Sequence, residues 1–181
     1  PVNAATAMPA WVGMFTCMFL HGGWMHLIGN MLYLWIFGNN IEDRLGPVLF
    51  LVFYVGTGVV ANLAHTFFEM SWIPLVGASG AISGVMGGYV MLFPHARILA
   101  LMPMGYYWFT AKLPAWIFLL VYIVVQNLFP AYFAGGSSVA YWAHIGGFVG
   151  GLALIYMFPH RKASVTARAR PIDDDDADFV L

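Results

Sequence analysis

Five stretches of this chain are apolar for nearly the thickness of a bilayer, and nothing else in the sequence constrains it as much. They cover residues 24–41, 45–68, 75–93, 113–129 and 139–158, and a helix needs roughly 20 apolar residues to cross a hydrocarbon core. The 181 residues are 61% hydrophobic and 8% charged, whereas soluble domains are nearer ~45–50% apolar and ~25% charged. A soluble fold of this length leaves too much area exposed to hide such a composition. Lipid is therefore expected to be the solvent for most of the chain. The expected fold class is an all-α polytopic membrane bundle, because a strand edge facing lipid would leave backbone groups unpaired. Two shorter apolar stretches, 8–20 and 98–110, are broken by Pro and Gly or too brief to cross. They are read as interfacial or re-entrant.

The positive charges give an orientation. All seven Lys and Arg residues (Arg44, Arg97, Lys112, Arg161, Lys162, Arg168 and Arg170) fall in the first or third connecting loop or in the C-terminal tail. The positive-inside rule then puts the C-terminus in the cytoplasm and residue 1 outside. No charged segment precedes an apolar one at the start, so no signal peptide is expected. The opening Pro1 suggests instead that the N-terminus has been cut away. The expected organisation is a transmembrane core over 1–160 and a disordered tail over 161–181, basic and then acidic through Asp173 to Asp176 and Asp178. A net charge of −1 speaks against a nucleic-acid partner. The lone Cys17 allows no internal disulfide.

Polar residues inside a membrane are costly and tend to mark function. With this orientation His26 and Asn30, one turn apart on the first span, lie in its outer part. Ser79 opens the third span, and His144 lies roughly 8–10 Å into the fifth. Four polar groups thus share one outer layer. Gly80, Gly84 and Gly88 recur every four residues on the third span, and Ala143, Gly147 and Gly151 do so on the fifth. Small residues at that spacing let helices approach closely in lipid. Packing stripe on stripe would bring the Ser79 hydroxyl to the His144 imidazole, a couple in which the base can take the hydroxyl proton. All eight acids lie in loops or the tail, so no carboxylate can orient the imidazole and a Ser–His dyad is expected. His26, Asn30 and the Ser79 N–H are candidate donors to an oxyanion. No H-E-x-x-H helix and no intramembrane carboxylate pair occurs, which removes metallo- and aspartyl chemistry. No cofactor and no metal is called for.

Four motifs in order then carry a resemblance. His21-Gly22-Gly23-Trp24-Met25-His26-Leu27-Ile28-Gly29-Asn30 resembles the second transmembrane helix of rhomboid proteases, and Glu42-Asp43-Arg44-Leu45-Gly46 resembles their E-x-R-L-G turn. Gly77-Ala78-Ser79-Gly80 matches their G-x-S-G motif, and Ala143-His144-Ile145-Gly146-Gly147 with Gly151 is similar to their base helix. The resemblance covers about residues 10–158. It implies an intramembrane serine protease whose visible spans are the second to sixth of six, the first being absent. Ser79 would be nucleophile, His144 base, and His26, Asn30 and the Ser79 amide the oxyanion hole. Gly77, Gly80, Gly147 and Gly151 would support the site, as would His21 on the resemblance; on its own residues His21 reads as structural. Substrates would be single-span membrane proteins, with the fourth span here and the loop after it as gate and cap. A bacterial plasma membrane is the expected home by analogy. The alternative is an inactive relative that binds membrane helices as a chaperone or adaptor. Where some members carry a tyrosine stacked on the histidine, this chain has Ser83. Glu42 and Arg44 are expected to pair, and Asn62 and His65 to serve as hydrogen-bonding residues. The sequence leaves the oligomeric state open.

Overall fold

The structure, a computed structural model, describes residues 9–69, 76–104, 106–133 and 139–161. Most of the second and fourth loops and the charged tail beyond residue 161 lie outside the described residues. The chain folds as a helical bundle. α1 (Ala10–Thr16) and a tight turn lead to α2 (Trp24–Tyr33), which runs through a wide helical turn, Leu34–Gly38, into α3 (Asn39–Leu45). α4 (Pro47–Phe68) follows, with Pro47 in its first turn, where its missing N–H costs nothing. Gly46 before it has φ +83°, a conformation that favours glycine. Next come α5 (Ser79–Leu92), an antiparallel hairpin of β1 (Arg97–Met104) and β2 (Tyr107–Pro114), and α6 (Ala115–Ile123). A second wide turn, Val124–Leu128, carries α6 into α7 (Phe129–Phe133), and α8 (Tyr141–Leu154) closes the bundle.

Among the described residues, two helices are by themselves long and apolar enough to cross a membrane: α4, and the run Ala115–Phe133. α5 and Tyr141–Met157 are apolar but shorter. α5 is the central helix, with every residue from Gly80 to Tyr89 buried. It packs against α4 and α8, which also meet each other where Gly146 faces Ala64 and Gly150 faces Val60. The core continues below the site through Phe37, Ile41, Phe53, Val85, Met86, Leu119 and Ile155.

The glycine stripes work differently from the simple stripe-on-stripe arrangement. The missing side chains of Gly80, Gly84 and Gly88 face α4: a Cβ on Gly80 would meet Ala61 Cβ at 2.8 Å, and one on Gly88 would meet Phe53 Cζ at 2.8 Å. Gly84 is closed off by Thr57. The α8 stripe does meet α5, but backbone to backbone, with Gly147 on the Gly80 carbonyl and Gly151 on the Gly84 carbonyl. One face of α5 thus accommodates α4 while its carbonyls receive α8.

Two expectations need correction: that the fold is all-α, and that Glu42 and Arg44 pair. Residues 98–110 form most of a hairpin, paired from Arg97↔Pro114 to Met104↔Tyr107. Alternation explains it: Ile98 and Ala100 are buried, while Leu99 and Leu101 between them are exposed. Glu42 and Arg44 form no ion pair among the described residues, since positions two apart on a helix point to different sides. Arg44 lies instead over the ring of Phe93, 5.7 Å from its centre, and its carbonyl accepts from Arg161 N at 2.7 Å.

Candidate active site

The site forms where α2, α5, α8 and the wide turn after α6 meet. Ser79 is the first residue of α5, so its hydroxyl stands at the open end of a buried helix. His144, in the first turn of α8, points its Nε2 at Ser79 Oγ across 2.8 Å. The close backbone approach at Gly80 and Gly147 sets that distance, because any side chain there would wedge the helices apart. Both residues are half-buried.

The segment before Ser79 is shaped by Gly77, whose φ of +120° suits glycine alone. A Cβ there would also strike His26 Cε1 at 2.7 Å and lie 3.6 Å from Asn30 Nδ2. The backbone leading into the serine is therefore laid against the face of α2 that carries both polar residues. Asn30 is buried, and its Nδ2 has no hydrogen-bond partner among the described residues. An unused buried donor costs roughly 1–3 kcal/mol. His26 is exposed at the mouth of the site. Its Nδ1 accepts from Gly22 N at 3.4 Å, and the His21 ring meets it edge-on at 5.4 Å. His21 touches His26 and stays one residue removed from the serine.

The N-terminal segment braces this loop, with Gly77 N donating to the Cys17 carbonyl at 2.9 Å. Burial pushes the Cys17 thiol up from its ordinary range, only partly offset by a hydrogen bond from Asn62, so Cys17 is a poor rival nucleophile. Asn62 Nδ2 donates to the Met14 carbonyl at 2.7 Å, and His65 pairs with Glu69 at 3.4 Å. Asn62 is a hydrogen-bonding residue, as the sequence suggests, whereas His65 Nδ1 makes an ion-pair approach without a hydrogen bond.

Ser83 is fully buried, and its hydroxyl donates to the backbone carbonyl of His144 at 2.7 Å. Tyr122 of α6 reaches Ser83 Oγ from the other side at 3.4 Å. In place of a ring stacked on the imidazole, this chain ties down the histidine's main chain.

One contact was not singled out from the sequence. Asn127, in the wide turn after α6 and 2% exposed, places its Oδ1 2.7 Å from His144 Nδ1. The signal was present: Gln126 and Asn127 are an amide pair in an otherwise apolar run, at the end of the fourth span that shares the layer of Ser79 and His144.

The chain is similar to several known proteins. A family model, the rhomboid domain, matches residues 9–161. The chain is 28% identical to the "Putative rhomboid protease YdcA" of Bacillus subtilis, over 88% of this chain and 73% of that one. It is 32% identical to "Rhomboid protein 1, mitochondrial" of Saccharomyces cerevisiae, over 84% of this chain and 42% of that one. To "Rhomboid protease GluP" of Bacillus subtilis it is 30% identical, over 82% of this chain and 26% of that one. The chain thus spans less than half the length of the second and third of these relatives.

Proposed function

The chain belongs to the rhomboid family, and from that premise we propose that it is an intramembrane serine endopeptidase cutting single-span membrane proteins in or near the bilayer. Ser79 is the nucleophile and His144 the general base. The observation that carries this reading is the 2.8 Å approach of Ser79 Oγ to His144 Nε2 inside so apolar a chain.

Ser79 Oγ bonds to the scissile carbonyl carbon as its proton passes to His144 Nε2. The carbonyl oxygen, now negative, lies at the N-terminus of α5. There the Ser79 N–H is free of any intrahelical partner and the helix dipole is positive. Asn30 Nδ2 and His26 supply further donors, and one such donor contributes about 2.7–4 kcal/mol to the transition state. The imidazolium returns its proton to the leaving amine. Water then attacks the acyl-serine, gives a proton to His144, and releases the new carboxylate as the serine hydroxyl is restored.

Five membrane crossings fit this chemistry: the run from α2 to α3, α4, α5, α6 with α7, and α8. At 14 residues α5 spans about 21 Å, short of the ~30 Å hydrocarbon core, so Ser79 is recessed below the outer surface yet reachable by water. The core occupies 1–160, and the tail beyond residue 161 lies outside the described residues. The C-terminus is cytoplasmic and the membrane a bacterial plasma membrane.

Purified protein in detergent with a model single-span substrate tests the assignment. Ser79→Ala and His144→Ala should each lower cleavage by more than about 10⁴-fold, and a fluorophosphonate should label Ser79. Cleavage surviving in both variants, or label on another residue, overturns the reading.

A further inference from the structure

We propose that Asn127 is the positioning residue of His144: its amide oxygen holds the Nδ1 proton and so presents Nε2, unprotonated, to Ser79. The inference rests on the protease reading above and adds a third member to a pair that the sequence, having no carboxylate in its spans, left as a dyad. The orientation of the amide decides the tautomer. Asn127 Nδ2 donates to the Tyr122 carbonyl at 2.9 Å, a group that can only accept. That fixes which way the amide faces, so the atom 2.7 Å from His144 Nδ1 is Oδ1, a pure acceptor. Nδ1 must then carry the hydrogen. A neutral imidazole with its hydrogen on Nδ1 has a lone pair on Nε2, the atom 2.8 Å from the Ser79 hydroxyl. One tautomer satisfies both contacts, and it is the one able to accept the serine's proton.

The local backbone is built for this reach. The Val124–Leu128 turn is wider than an α-helical turn, and such turns re-aim a side chain and often lie at functional sites. Asn127 is 2% exposed and makes both amide contacts inside the bundle, so it has little freedom to swing away. During the reaction its amide neither gains nor loses a proton. The serine proton goes to Nε2, the Nδ1–H···Oδ1 bond persists, and the amide dipole faces the imidazolium that forms.

The test uses the full chain in detergent. Nitrogen-15 spectra of histidine-labelled protein at alkaline pH, with His144 assigned by its loss in His144→Ala, should show Nδ1 carrying hydrogen and Nε2 bare. The reverse pattern overturns the proposal without any Asn127 variant. Asn127→Leu should lower kcat roughly 10²-fold, the low end of what a positioned base contributes, with KM and the thermal midpoint near wild type. Asn127→Asp, which keeps an acceptor, should recover roughly tenfold of that loss. If Asn127→Leu cleaves like wild type while Ser79→Ala and His144→Ala are dead, the positioning role fails and the protease reading stands. If those two variants still cleave, the protease reading itself has failed.

Discussion

At the scale of single residues, the site is a set of polar atoms each left one open valence by its surroundings. Ser83 fixes the His144 main chain and Asn127 meets its ring, which leaves Nε2 with Ser79 alone. Asn30 keeps an unpartnered buried Nδ2. If that donor serves an oxyanion, Asn30→Ala should reduce kcat about 10²–10³-fold and change KM little, because a ground-state carbonyl draws on it weakly. Steady-state kinetics on the model substrate separate the two, and a rise in KM with kcat unchanged would move Asn30 to substrate binding. Ser79, His144, His26 and Asn30 were legible as polar residues in apolar stretches, and the structure brings Ser79 to His144 and lays Gly77 against His26 and Asn30. Asn127 is equally polar but carries no charge to mark it as a histidine's partner, and an amide orients an imidazole through the same acceptor geometry as a carboxylate without a buried charge.

Among the helices, what matters is contact without side chains. Gly147 and Gly151 rest on the carbonyls of Gly80 and Gly84, and neither surface can retreat, because both are helix backbone. Gly147→Ala should therefore cost about 1–3 kcal/mol and lengthen the Ser79–His144 approach, so that activity falls further than stability. Thermal unfolding and fluorophosphonate labelling rates, measured together, decide this; equal labelling in the variant would mean that the helices accommodate the methyl elsewhere. The four-residue spacing did identify α5 and α8 as neighbours. It could not tell which side of α5 faces α8, since Gly80, Gly84 and Gly88 are small towards α4 while Gly87 abuts the Phe148 carbonyl on α8. The hairpin Arg97–Pro114 was missed for a related reason. Its apolar residues on both faces look like a membrane segment, and only the pairing register separates buried Ile98 from exposed Leu99.

Over the whole molecule the bundle is unevenly consolidated. α5 is buried over most of its length, whereas the apolar window of Ala115–Phe133 is only 11% buried, against 33% for α4. Ser79 therefore stands on a helix buried over most of its length, with His144 on a helix packed backbone to backbone against it, and Asn127 arrives on a helix that is mostly exposed. A bilayer thicker or thinner than that segment tilts it at a cost of fractions of a kcal/mol per Å, well before the glycine-locked pair yields. Turnover in vesicles of short- and long-chain phosphatidylcholine should accordingly vary several-fold while the melting temperature holds steady, and Asn127→Leu should flatten that dependence. On the protease reading, the chain would then sense the depth of the membrane it inhabits, with one amide as the gauge.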